Sequence, residues 1–135
     1  MFYLAEYDRK VWILMDDMLT QQLEALKVVA PYCAKIENAI NNVVGELNGK
    51  RLEDTDEYIK SIQNGLNWII EVYNGTRDLV NKDSVVVDKD TVNAAILKMN
   101  SAGTAKNDVM LAEAFTEVGG FVKSFREAAE KLTSN

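Results

Sequence analysis

Apolar or small residues recur along the first third of the chain at Trp12, Met15, Leu19, Leu23, Leu26, Ala30, Cys33, Ile36, Ile40, Val43 and Leu47. Every step is three or four residues, the spacing that aligns side chains on one face of an α-helix. The stripe crosses Pro31 without losing phase. An interior proline removes one backbone hydrogen bond and crowds the carbonyl four residues back, here that of Lys27. Two arrangements satisfy this: one long helix kinked around Lys27 to Pro31, or two helices meeting there with Pro31 in the first turn of the second. Phase continuity favours the kink. Asn48-Gly49 is a good helix-ending signal.

The N-terminal half of this segment carries a second stripe at Tyr3, Tyr7, Val11, Leu14 and Met18. Its apolar arc is therefore wider than the roughly 100° of an ordinary surface helix, and such a helix needs covering on two sides.

A second helix is predicted behind Asp54, with Glu57 at capping-box spacing. Its stripe is Ile59, Ile62, Leu66, Ile69, Tyr73, Thr76 and Val80. Asn74-Gly75 offers a rival reading as a tight β-hairpin turn. Neither flank alternates strictly, and the helical stripe runs across the turn, so a helix with a bend or break at Gly75 is expected. Residues 81–90 form the main connection, an extended linker whose valines (Val85, Val86, Val87) pin it to the core. Asp90 is the expected cap of a third helix through Ala94, Ala95, Ile96, Leu97 and Met99, interrupted at Ser101-Ala102-Gly103-Thr104. The last helix shows Val109, Ala112, Phe115, Val118, Val122, Phe125, Ala129 and Leu132. Gly119-Gly120 inside it suggests a bend or a close helix approach. The sum is an all-α, antiparallel bundle of three to four helices with the long first helix as spine, in a single domain over 1–135.

Composition agrees with this. The chain of 135 residues has one proline and seven glycines, few for a turn-rich β fold. At this length it buries roughly two thirds of its unfolded surface, enough for a core without disulfides or metals. Fifteen basic against twenty-one acidic residues give a net charge of −6. Phosphate backbones and anionic membranes are disfavoured partners, because the densest basic pair, Lys50-Arg51, is followed at once by Glu53, Asp54, Asp56 and Glu57. The start of the chain has no basic region of the kind that opens a secretory signal, and its longest apolar run, Val11 to Met15, is far short of the ~20 residues of a membrane span. A lone cysteine, Cys33, suits the cytoplasm.

The chain has no histidine. This excludes Ser-His-Asp and Cys-His catalysis, a His base, and the di-iron bundle sites built on Glu-x-x-His. One cysteine makes no thiolate zinc site. Asp88-Lys89-Asp90 resembles the opening of an EF-hand loop, but its sixth position is Asn93 and its twelfth Met99, so calcium binding is not expected. Cys33 sits on the apolar stripe and reads as a buried structural thiol. No catalytic residue, cofactor or metal is expected, and the protein is read as a non-enzyme. Arg9, Arg51, Arg77 and Arg126 are the residues with which a small-ligand binder or enzyme could grip an anion, the weakest of the readings.

The aromatic and methionine group Phe2, Tyr3, Tyr7, Trp12, Met15 and Met18 stands above background. It is either ordinary core or a groove of the kind that holds a partner helix, with the stripe Tyr3, Tyr7, Val11, Leu14 and Met18 as the partner-binding residues. In size, acidity, helicity and this amphipathic segment the chain resembles the small acidic helical chaperones of flagellar and related secretion systems. The resemblance is one of character, without a shared motif, and it implies no site residue. It suggests an export or assembly chaperone that binds a helical segment of another protein. The alternative is a structural homodimer closed by the second stripe.

Overall fold

The computed structural model describes residues 2–83 and 85–134, with side chains from Asp17 onward. Four helices carry it: α1 (Phe2–Asn48), α2 (Thr55–Val80), α3 (Lys89–Thr104) and α4 (Asp108–Thr133), with no strand among the described residues. Pro31 lies inside α1, which is one continuous helix of 47 residues, about 70 Å of axial rise. No break into two helices occurs there. The chain leaves α1 at Gly49, whose N–H bonds the Gly45 carbonyl at 3.0 Å.

The entry to α2 departs from the expected capping box. Asp54 occupies the cap position but makes no side-chain cap bond. The neighbouring Thr55 anchors the turn before the helix: its fully buried hydroxyl accepts from the Leu52 N–H and donates to Glu46, both at 2.8 Å, tying the turn to the end of α1. Beyond it, Ile59, Ile62, Leu66, Ile69, Tyr73, Thr76 and Val80 are all buried, and the helix runs through Gly75 unbroken. Links from Glu46 to Thr55, Asn42 to Tyr58 and Gln22 to Gly75 set α2 antiparallel to α1.

The connection after α2 is held by two polar side chains. Asn81 Oδ1 accepts from the N–H groups of Val86 (3.0 Å) and Val87 (3.2 Å), and the buried Tyr73 hydroxyl donates to the Val87 carbonyl at 3.1 Å. Only Val87 enters the core; Val85 and Val86 are exposed. The cap of α3 is Asp88, not Asp90. Its carboxylate accepts from the Asp90 N–H and the Thr91 hydroxyl, and Lys89 and Asp90 lie inside the helix. Residues 101–104 continue α3 rather than interrupt it, and its buried face is Val92, Ala95, Met99 and Ala102, leaving Leu97 outside. A tight turn follows in which Lys106 takes φ 54° and Asn107 caps α4 by accepting from the Met110 N–H.

One core gathers residues from all four helices and Val87. Its centre is α4, the element adjacent to each of the other three, and not the longer α1. The reason is arc width: Leu111, Ala112, Ala114, Phe115, Val118, Phe121, Val122, Phe125, Ala128 and Ala129 are all buried, far more than one stripe. The four alanines keep that helix thin where its neighbours close on it. The short turn at 105–107 folds α4 back along α3, with Lys98 reaching Glu113 and Glu117. Arg51, just past α1, pairs with Asp108 while Glu37 pairs with Arg126, so α4 also runs antiparallel to α1, with Gly119 facing Ile40. The α4 helix passes straight through Gly119-Gly120. Close approach falls elsewhere, at Gly65 of α2, where an added Cβ would stand 2.6 Å from both Ile36 Cδ1 and the Tyr32 hydroxyl of α1.

Candidate partner-binding surface

Helical phase carries the second stripe of α1 onward. From Met18 the same edge of the helix continues through Gln21, Ala25, Val28 and Tyr32, at steps of three and four. Of the five residues read from sequence as partner-binding, Tyr3, Tyr7, Val11 and Leu14 have side chains outside the described residues. Met18 is 62% exposed. It borders a shallow groove of about 280 Å³ between α1 and α2, floored by Ala25, Val72 and Gly75.

Farther along the seam, Tyr32 meets Trp68 edge to face, with ring centroids 5.0 Å apart and planes at 87°. Gly65 makes room for this contact, since a side chain there would collide with the tyrosine. Trp68 stays 36% exposed and Val28 62% exposed, so the seam presents apolar surface. Gln21, Gln22 and Thr76 are its polar members, and the Gln22 amide donates to the Gly75 carbonyl at 3.2 Å. Trp68 and Val72 did not figure in the sequence-based site. The signal that marks them is an i,i+4 apolar pair standing off the main stripe of α2, beside Gly65 and Gly75.

The arginines do not converge. Arg51 pairs with Asp108 at 2.8 Å and Asp56 at 2.7 Å, which lowers the Asp108 carboxyl below its ordinary range through the hydrogen bonds. Arg126 forks onto Glu37 and also bonds Glu130 at 3.0 Å. Asp108 and Arg126 stand eighteen positions apart on one helix, about 27 Å. Each guanidinium is raised above its usual pKa, first by the hydrogen bonds to these carboxylates. Arg77 lies apart on α2, and the side chain of Arg9 is outside the described residues.

Cys33 is fully buried on α1, and burial pushes its thiol up to about 12. Among the described residues, no three Asp, Glu, Cys or His side chains come together to hold a metal. No helix among them is long and apolar enough to cross a membrane.

Fold and surface thus define an antiparallel helical domain with an apolar seam left open between its first two helices. The chain belongs to the family described as a domain of unknown function (DUF8042), whose model matches residues 24–131. No curated protein and no solved structure matches it. The family match opens two residues before Leu26, the first fully buried side chain of α1 among the described ones. The stripe from Tyr3 to Met18 precedes the match.

Proposed function

We propose that this chain is a non-enzymatic interaction module of the cytoplasm, and that it binds an amphipathic helix of another protein along the α1–α2 seam. The observation that carries the reading is a set of large apolar side chains left exposed: Met18 and Val28, in phase on α1 with the stripe that precedes them, and Trp68, which meets Tyr32 from α2. Large apolar side chains gathered on an exposed surface mark a docking site, and Met and Trp are the side chains that interfaces favour. An export or assembly chaperone is the form of this role that the size, acidity and helicity of the chain suit best. The second reading, a homodimer, rests on the same exposed residues, since a two-fold contact is made by one patch on both copies.

Molar mass by light scattering behind a sizing column, followed by affinity capture, tests both on the wild type and Met18→Asp/Val28→Asp. Both sites are mostly solvated, so the variant folds with an unchanged helical signal. A monomer that retains a partner lost by the variant supports the module. A dimer dissolved by the variant supports the self-association reading. A folded variant with the same mass and the same captured proteins refutes both.

A further inference from the structure

A second surface lies along α4 and shares no lining residue with the groove of this seam. Two cavities of about 410 and 500 Å³ adjoin along α4, sharing Val86 and Ser124 between them. Their floor is apolar: Phe121 and Ala95 under the first, Leu79 and Ala128 under the second. Gly120 opens the first, for nothing stands within 4 Å of a Cβ built there. Val86 and Leu132 leave 46% and 36% of their surface in water at its edges. From Glu117 to Leu132 the trough follows about 22 Å of α4, the length of four helical turns.

The charge of the rim decides the occupant. Asp83, Asp88, Glu117 and Glu127 line the trough against a single ammonium, Lys131. Asp88 is occupied in capping α3, and Glu117 is bonded to Lys98 at 3.0 Å, but Asp83 and Glu127 flank the mouth without an ion-pair partner among the described residues. An apolar floor under an acidic rim recognises a helix that is apolar on one face and basic on its flanks. A second copy of this chain, itself at −6, is repelled from the same place.

We infer that the trough along α4 is a docking groove for a basic amphipathic helix of a partner protein. The helix lays its apolar face over Phe121 and Ala128, and its lysines or arginines meet Asp83 and Glu127.

The probe is an 18-residue peptide with leucine at helical spacing and lysine elsewhere, labelled for fluorescence anisotropy. A control peptide carries glutamate at every lysine. Titration uses the full chain, Gly120→Met and Asp83→Lys/Glu127→Lys. Gly120→Met plugs the trough at an open helical position where methionine favours the helix more than glycine does, so it folds. The lysine peptide binds the wild type at least tenfold more tightly than the glutamate peptide, and its affinity falls with added salt. Both variants lose at least tenfold, while Val28→Asp on the α1–α2 seam binds as the wild type does. Equal binding by Gly120→Met, equal binding of the two peptides, or loss in Val28→Asp overturns the assignment. So does the absence of binding by the wild type.

Discussion

Tyr73→Phe removes one oxygen from the best buried aromatic of α2 and leaves its packing alone. The ring is 2% exposed and meets Phe121 and Phe125 edge to face, each with centroids 5.5 Å away. Phenylalanine keeps those contacts, so the change isolates the hydroxyl. That hydroxyl donates to the Val87 carbonyl at 3.1 Å and accepts from the Asn81 amide at 3.4 Å. A neutral buried hydrogen bond contributes about 1 kcal/mol net, and a carbonyl left without a donor costs about 1–3 kcal/mol. Asn81 is partly exposed and recovers its bond from water, so the expected loss is about 1.5 kcal/mol. For a chain of this size that lowers Tm by about 3–6 °C. The loss is also local. Asn81 holds the Val86 and Val87 amides, and freeing its side chain unlatches the linker from the bundle. Urea denaturation reads the global term, and amide hydrogen exchange at Val86 and Val87 reads the local one. A stability change under about 0.3 kcal/mol with unchanged exchange at both amides would refute the assignment of the linker's position to this hydroxyl.

Three further outcomes are expected. Gly75→Ala stabilises by about 1 kcal/mol, because the site is helical and open, whereas Gly65→Ala gains less or loses, because its Cβ meets Tyr32 and Ile36; paired urea melts compare them. Lys106→Gly relieves a side chain from the left-handed region and stabilises by up to about 1 kcal/mol, again by urea melt; a loss of stability there counts against strain in the α3–α4 turn. Cys33 resists a thiol reagent at pH 8 in the folded protein and reacts on unfolding. Since burial raises its pKa from 9.0 to about 12, its contribution to stability is intact below pH 9 and is lost as pH rises from there towards 12. Cys33→Ser, which lacks that titration, shows a shallower decline over the same window.

Much of the architecture is legible along the chain because helical periodicity is a one-dimensional property. Each residue of the α2 stripe, from Ile59 to Val80, is buried as its spacing demands, and the phase that carries the first stripe across Pro31 belongs to a single helix. The all-α class, the linker after Val80 and the buried state of Cys33 follow from the same reasoning. Other features depend on groups that meet only after the chain has folded. Asp88 and Asp90 are equally eligible caps by type, and backbone geometry chooses Asp88, which is extended at φ −91°, ψ 117°. Thr55, and not the Asp54 side chain, anchors the start of α2, because the end of α1 brings Glu46 within reach. Val109 and Leu132 fit the α4 stripe yet lie exposed near its ends, while Phe121 and Ala128, off that stripe, are buried because α4 has neighbours on three sides. The same holds for the surfaces. The Tyr3-to-Met18 stripe is written in the spacing of one helix, but Trp68 joins its edge only through α2, and the acidic rim of the α4 trough assembles from Asp83 and Glu127, forty-four residues apart. Spacing along one helix specifies which residues share a face; which faces are covered, and which are left for a partner, is decided by how the helices pack.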